Sequence, residues 1–124
     1  MTVLDSSCWM EYFAGTSRAD LFADVIKDVD QLVVPTVTIL EVFRKLLADV
    51  NENAARRATA QMAQGEVADL TVAIAVAAAC IGRELKLPLA DSIILATARA
   101  HQAELWTQDA HFENVPGVKY FRKK

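Results

Sequence analysis

Four carboxylates stand where short apolar segments end or where helices begin: Asp5, Glu41, Asp91 and Asp109. If the fold brings these acids together they repel, since two unit charges about 4 Å apart at an effective dielectric of about 20 interact by about 4 kcal/mol. A hard divalent cation removes that penalty, and oxygen ligands without a cysteine and histidine set favour Mg²⁺ or Mn²⁺ over zinc. The pattern therefore predicts a metal site.

Each acid also has a purely structural explanation. Asp5 or Asp91 could stabilise a helix N-terminus, and Asp109 could nucleate a turn. Glu41 lies opposite the apolar stripe of its helix and could form a surface pair with Lys45, four residues on. We keep Glu41 in the set because it follows a strand closely, and ligand sites of α/β sheets form at the C-terminal ends of strands.

The hydrophobic content of 53% and the positive mean hydropathy predict one folded domain over residues 1–124 and favour a homodimer. The longest apolar run, Val72–Ile81, is half the length of about 20 residues that a membrane span needs, and it predicts a buried helix. Asp5 and Glu11 interrupt the N-terminal region, so an export signal is not predicted and the expected location is the cytoplasm.

The formal net charge of −3 argues against broad electrostatic binding to nucleic acid, but this value includes the four acids of the predicted site. Without the four site carboxylates the net charge rises from −3 to +1. The basic residues that remain form short clusters, which leaves room for a phosphate-binding rim: Arg44/Lys45, Arg56/Arg57, Arg83/Lys86 and Lys119/Arg122/Lys123/Lys124.

The hydrophobic pattern alternates between strands and helices, which predicts an α/β fold with a parallel sheet. The predicted strands are Thr2–Leu4, Leu32–Val34, a weak strand or loop at Glu66–Leu70, Glu104–Thr107, and an edge strand at Val118–Phe121. The first predicted helix is capped by Ser6 or Ser7 and runs through Ala14, and Thr71 is the predicted cap of the helix Val72–Leu85. The other predicted helices are Arg18–Val29, Thr36–Val50, Asn51–Gln64 and Ala90–Ala103.

Two histidines and one arginine are further candidate site residues. His101 and His111 have no serine or cysteine partner identifiable from spacing, and His101 near a helix end is typical of a helix-dipole partner. Arg44 lies one turn beyond Glu41, where contact with a substrate phosphate and a structural ion pair are equally consistent with the sequence.

Aromatic residues and cysteines are expected to be structural. The helical spacing of Trp9, Tyr12 and Phe13 favours a core or an interface over base stacking. Cys8 and Cys80 lie in apolar sequence without zinc or redox spacing, so both are predicted to be inert buried thiols.

The chain resembles PIN-domain proteins, specifically VapC-type toxins of toxin–antitoxin modules. The segments that carry the resemblance are Val3–Ser7, Glu41 with Arg44, Leu89–Ala98, and Leu105–Asp109 with Phe112. One departure is the pair Ala110–His111 before Phe112, where VapC-like chains often carry a basic residue.

The resemblance implies a three-layer α/β/α sandwich with a central, mainly parallel sheet, and a Mg²⁺- or Mn²⁺-dependent endoribonuclease inhibited by a VapB-like antitoxin. In that scheme Asp5 and Asp91 bind the metal, Asp109 binds it directly or through water, and Glu41 orients water or completes a second metal position. Ser6 and Thr107 hold carboxylates by hydrogen bonds, and Arg44 contacts the RNA substrate. Hydrolysis by activated water would leave 5′-phosphate and 3′-hydroxyl ends, with no nucleophilic side chain required.

The sequence also allows two other functions. A phosphatase-like hydrolase could use Asp5 as phosphoryl acceptor, but Ser7 stands where its second acid would be. A non-catalytic RNA- or partner-binding module is disfavoured because all four acids are present.

Overall fold

The computed structural model describes residues 1–123 and contains a five-stranded sheet flanked by helices. The strands are β1 (Thr2–Leu4), β2 (Leu32–Pro35), β3 (Glu66–Ala68), β4 (Glu104–Thr107) and β5 (Val118–Tyr120). The helices are α1 (Ser6–Ala14), α2 (Asp20–Lys27), α3 (Thr36–Asp49), α4 (Glu52–Met62), α5 (Val72–Leu85) and α6 (Leu89–Ala100). The sequence predicted these elements with differences of a few residues at the ends, except that it left β3 as a weak strand or a loop.

Alternating side chains on the strands bury both faces of the sheet. Leu4 and Val34 belong to the core beneath α1–α4, whereas Val3, Val33 and Leu105 belong to the core beneath α6. Because successive residues of a strand point to opposite faces, such continuous apolar runs require helices on both sides. The structure therefore confirms the three-layer α/β/α sandwich.

All strand pairings in the sheet are parallel, and the strand order is β3-β2-β1-β4-β5. The chain runs outward from β1 through β2 to β3 and then crosses to the other side of β1 to form β4. Ligand sites of open α/β sheets lie at such a reversal, beyond the carboxyl ends of the strands. The residues that follow β1 and β4 are therefore placed beside each other at the edge where a site is expected.

The start of α1 differs from the sequence prediction. Neither Ser6 nor Ser7 occupies the capping position, which belongs to Asp5: its carboxylate accepts the backbone N–H of Cys8 at 3.3 Å. Gly15 ends the helix with φ of 64°, a left-handed conformation that glycine adopts without a steric penalty. The same carboxylate that was predicted to bind metal thus also stabilises the helix that follows β1.

Helix α5 is not buried as predicted. Only Ile74 and Ala78 are buried, whereas Val72 is 83% and Val76 is 60% exposed. The prediction for Cys80 was also wrong, because this thiol is exposed. The helix contacts α6 along one narrow stripe of residues, so its remaining apolar surface faces away from the protein.

Helix α3 is also less buried than its apolar stripe predicted. Val42 and Leu46 are buried, but Leu47 and Val50 are exposed. Among residues 1–123, the structure has no helix that is both long and apolar enough to span a membrane.

Candidate metal centre

Asp5 is the most deeply buried acid of the site, with 3% of its surface exposed directly after β1. Oδ1 accepts the Ser7 hydroxyl at 2.6 Å, and Oδ2 accepts the Thr107 hydroxyl. Burial raises the pKa of Asp5, while the hydrogen bonds from Ser7, Thr107 and Cys8 oppose part of that rise. The carboxylate is therefore fixed in orientation but poorly solvated, an arrangement that a cation would stabilise.

Thr107 joins the ends of β1 and β4. Its hydroxyl donates to Asp5 and accepts the backbone N–H of Asp109 at 2.9 Å. The parallel register pairs Leu4 with Trp106, so Asp5 and Thr107 occupy the next position on adjacent strands. The strand pairing itself brings together residues 102 positions apart in the sequence.

Asp91, in the first turn of α6, lies against Asp109. Burial, and then the charge of Asp109, raise the pKa of Asp91 to about 7, while His111 acts in the opposite direction. The His111 Nδ1 atom lies 2.8 Å from Oδ1 of Asp109 and 3.4 Å from Oδ2 of Asp91. Two carboxylates and an imidazole thus converge at the C-terminal end of β4.

Glu41 also faces the acids, although it lies opposite the apolar stripe of α3. Its pKa is raised by burial and by the charges of Asp5 and Asp109, and lowered by the Ser6 hydroxyl and by Arg44. The surface pair that the sequence allowed is not formed, because the ammonium group of Lys45 lies 3.4 Å from Asp49 instead. Ser6 therefore acts on Glu41, while Ser7 holds Asp5.

The four predicted acids share one neighbourhood, and their donor atoms fit a hard divalent cation. Asp91, Asp109 and His111 can each offer one ligand atom such that all three atoms lie within 4.8 Å of one another. Carboxylate oxygens are ligands that suit Mg²⁺ and Mn²⁺, and an added imidazole is compatible with transition metals. The charges of Asp5 and Asp109 raise the pKa values of Glu41 and Asp91, and a bound cation would relieve this repulsion.

Three neighbours of the acids were not predicted as site residues: Ser7, Gln108 and His111. Buried Gln108 donates through its amide to the Ser7 carbonyl at 3.4 Å, and its Oε1 accepts Arg18 Nε. The available sequence signal was proximity, because Ser7 follows Asp5 and His111 follows Asp109 by two positions. Gln108 has the same signal, since it lies between two site residues, but its inward orientation depends on tertiary contacts.

A cleft of about 670 Å³ opens beside the acids. Its lining includes Ser6 and Glu41 together with the basic residues Arg44, Lys45 and Lys123. The acids Glu11 and Asp49 also line the cleft, and of the four predicted site acids Glu41 is a lining residue. Lys124, the last residue of the predicted basic tail, lies outside the described residues.

The sequence pattern of the PIN domain family matches residues 2–118. A search of curated proteins found no match. The structure is similar to a chain of a toxin–antitoxin complex from Klebsiella pneumoniae, with a TM-score of 0.82, 27% identity and 96% of each chain covered. It is also similar to the sarcin-ricin loop cleaving toxin VapC20 of Mycobacterium tuberculosis, with a TM-score of 0.74, 17% identity, and coverage of 94% of this chain and 95% of that chain.

A third similar structure is VapBC2 from Rickettsia felis, bound to a DNA fragment from its promoter, with a TM-score of 0.76, 12% identity and 98% of each chain covered. At 12% identity this match supports the fold alone. It agrees with the sheet and the helix layers described above. Since the family pattern spans almost the whole sequence and the structural matches include VapC toxins, the chain belongs to the PIN domain family.

Proposed function

We propose that the protein is a Mg²⁺- or Mn²⁺-dependent endoribonuclease and the toxin component of a type II toxin–antitoxin system. The observation that carries this proposal is the convergence of Asp5, Glu41, Asp91 and Asp109, in which the charges of Asp5 and Asp109 raise the pKa values of Glu41 and Asp91. The PIN family and the RNA-cleaving toxin among the structural matches support a nuclease.

The role that we propose for each residue follows from its burial and its contacts. Asp5, Asp91 and Asp109 would hold the cation, and Glu41, at the cleft, would orient the attacking water and accept its proton. Bound Mg²⁺ or Mn²⁺ supplies positive charge that activates water and stabilises charge developing on the phosphate. Arg44, on the cleft wall, would position the RNA backbone.

The test is acid-to-amide substitution with RNA cleavage as the readout. Asp5→Asn and Asp91→Asn should each reduce cleavage by at least about 100-fold, because each removes a negative charge that binds the cation. Circular dichroism should show an unchanged fold. Asp24→Asn, at an exposed acid of α2, is the matched control and should cleave like the wild type.

Chelation and analysis of the product ends complete this experiment. Excess chelator should stop cleavage, and added Mg²⁺ or Mn²⁺ should restore it with 5′-phosphate and 3′-hydroxyl ends. Cleavage that persists in excess chelator would refute the metal mechanism, and RNA binding without cleavage in the presence of metal would favour the non-catalytic module.

The phosphatase-like alternative is disfavoured by the environment of Asp5. Such an enzyme needs a second carboxyl group two residues later as general acid, whereas Asp5 here accepts hydrogen bonds from the Ser7 and Thr107 hydroxyls. Ser7, which replaces the second acid of such enzymes, donates one of those bonds.

We further propose a VapB-like antitoxin as the protein partner and the cytoplasm as the place of action. The matched structures include VapBC complexes from Rickettsia felis, Salmonella typhimurium and Haemophilus influenzae. An inhibitor that covers the cleft must compensate for the clustered carboxylates, so we expect it to present a cationic side chain to Asp91 and Asp109.

A homodimer is proposed from the exposed face of α5. Val72 and Val76 are large apolar residues on a stretch without charge, and Leu89 at the start of α6 is 80% exposed nearby. Asp69 precedes this stretch and Arg83 follows it, so two copies packed with antiparallel α5 helices would bring opposite charges together. The surface is therefore complementary to itself in both polarity and charge.

A further inference from the structure

His111 occupies a position that the four-carboxylate scheme does not explain. Its Nδ1 atom lies 2.8 Å from Asp109 Oδ1 and 3.4 Å from Asp91 Oδ2. The side chain is 58% exposed, so it borders the solvent-facing side of the acid cluster rather than the core.

The backbone holds His111 at this place. Asp109 Oδ1 accepts the backbone N–H of His111 at 2.9 Å, which closes a single turn of 3₁₀ helix over Ala110–Phe112. The next side chain, Phe112, is fully buried against the sheet. The imidazole is therefore attached to a segment fixed on both sides, although the ring itself is accessible.

The spacing of the three donor atoms suits a shared cation. Ligands about 2.1 Å from an octahedral cation lie about 3 Å from their neighbours in the coordination sphere. The Nδ1–oxygen distances of 2.8 and 3.4 Å lie on either side of that value. A cation could thus bind between the three atoms after small side-chain adjustments.

We propose that His111 is a direct ligand, through Nδ1, of the cation held by Asp91 and Asp109, and that this mixed nitrogen and oxygen site prefers Mn²⁺ to Mg²⁺. The inference rests on the proposed metal site and adds a ligand to it. Imidazole nitrogen binds transition metals better than it binds Mg²⁺, whereas carboxylates accept both cations. The departure from the VapC pattern at Ala110–His111 then has a chemical consequence.

The competing explanation is an ion pair, in which a protonated His111 neutralises the acids in the absence of metal. The two explanations predict opposite effects of removing the ring. Loss of a ligand weakens Mn²⁺ binding, whereas loss of a competing positive charge strengthens the binding of both metals.

The test measures metal binding to the whole protein without RNA. Mn²⁺ titrations followed by electron paramagnetic resonance, with Mg²⁺ as competitor, give both dissociation constants for wild type, His111→Ala and His111→Gln. His111→Ala should weaken Mn²⁺ binding by about 10-fold or more and Mg²⁺ binding much less, since only the transition metal gains from the nitrogen. His101→Ala is the control, because the His101 ring contacts the Thr97 carbonyl within α6 and should leave both constants unchanged.

Electron spin-echo modulation from ¹⁴N provides direct evidence of coordination. Mn²⁺ bound to wild type and to His101→Ala should show nitrogen coupling, and Mn²⁺ bound to His111→Ala or His111→Gln should not. Bound Mn²⁺ without that coupling in the wild type, or tighter binding of both metals in His111→Ala, would overturn the inference and leave the proposed nuclease intact. Absence of any metal binding in the wild type would overturn both.

Discussion

At the residue scale, one hydroxyl connects the two acids that follow β1 and β4. Thr107 is fully buried, donates to Asp5 and accepts from the backbone of Asp109. Thr38 is equally buried, but its hydroxyl has no hydrogen-bond partner within the described chain, residues 1–123. The two threonines therefore provide a matched pair for measuring what the Thr107 hydroxyl contributes.

Thr107→Val should lower the free energy of unfolding by about 1–3 kcal/mol, because a buried amide loses its acceptor and a buried carboxylate loses its donor. Thr38→Val should be neutral or stabilising, since it removes a hydroxyl that forms no bond. Urea unfolding of both variants measures the difference. Equal destabilisation by the two substitutions would show that the hydrogen bonds of Thr107 contribute little.

The raised pKa of Asp91 predicts a pH dependence of stability in the absence of metal. With a folded-state pKa of about 7 and a model value of 3.8, the native state retains a proton that the unfolded state has lost between those pH values. The stability of the wild type should therefore fall as the pH rises through this window, and the penalty should be complete above about pH 7.

Asp91→Asn removes this group, so in excess chelator its melting temperature should exceed that of the wild type at pH 8 and approach it near pH 4. Calorimetric melts of both proteins across this range provide the measurement. Added Mn²⁺ at pH 8 should raise the melting temperature of the wild type more than that of the variant. If the melting temperatures of the two proteins changed with pH in parallel, this result would contradict the raised pKa of Asp91.

At the element scale, the position of α6 depends on its contact with α5. A Cβ atom at Gly82 would lie 2.5 Å from Ser92 Oγ and 3.2 Å from Ser92 Cβ, so only a glycine allows the helices to approach this closely. Ser92 Oγ donates to the Pro88 carbonyl at 2.9 Å and is held in place. Since Asp91 precedes Ser92 in the same turn, any outward shift of α6 displaces a proposed metal ligand.

Gly82→Ala should therefore reduce both thermal stability and RNA cleavage, with a loss of about 1–3 kcal/mol from overpacking. The double variant Gly82→Ala/Ser92→Ala removes the closest clashing atom and should recover part of both properties. Melting temperature and cleavage rate are measured together. A stabilising effect of Gly82→Ala alone would mean that the helices separate without cost.

At the scale of the whole molecule, the exposed face of α5 predicts self-association. Val76→Glu introduces a charge at the centre of the apolar stretch and should shift the protein towards monomer in analytical ultracentrifugation, because charges are depleted from interface cores. Val50→Glu is a matched control, since Val50, directly after α3, has the same exposure of 60%. A wild type that remains monomeric at high concentration, or equal effects of both substitutions, would refute this interface.

Some parts of the structure could be predicted from the sequence better than others. The alternation of apolar segments predicted four of the five strands and all six helices, because the strand and helix periods are local properties of the residues, and it left β3 as a weak strand or a loop. The four acids were also predicted as a set: Asp5 and Asp109 closely follow strands, Asp91 lies in the first turn of a helix, and Glu41 lies in the first turns after β2. Thr71, predicted as a helix cap, does accept the N–H of Ile74 at 3.2 Å.

Only the tertiary structure decided which side chains of different elements contact one another. Ser6 and Ser7 are neighbours, yet one interacts with Glu41 and the other with Asp5, a division set by the packing of α1 against α3 and β4. The exposure of α5 could not be read from its composition, because burial depends on which neighbours the topology supplies. His111 lies beside Asp109 because the two are close in sequence, but it reaches Asp91 only through the packing of α6 on the sheet, and such a contact between distant residues has no local signature.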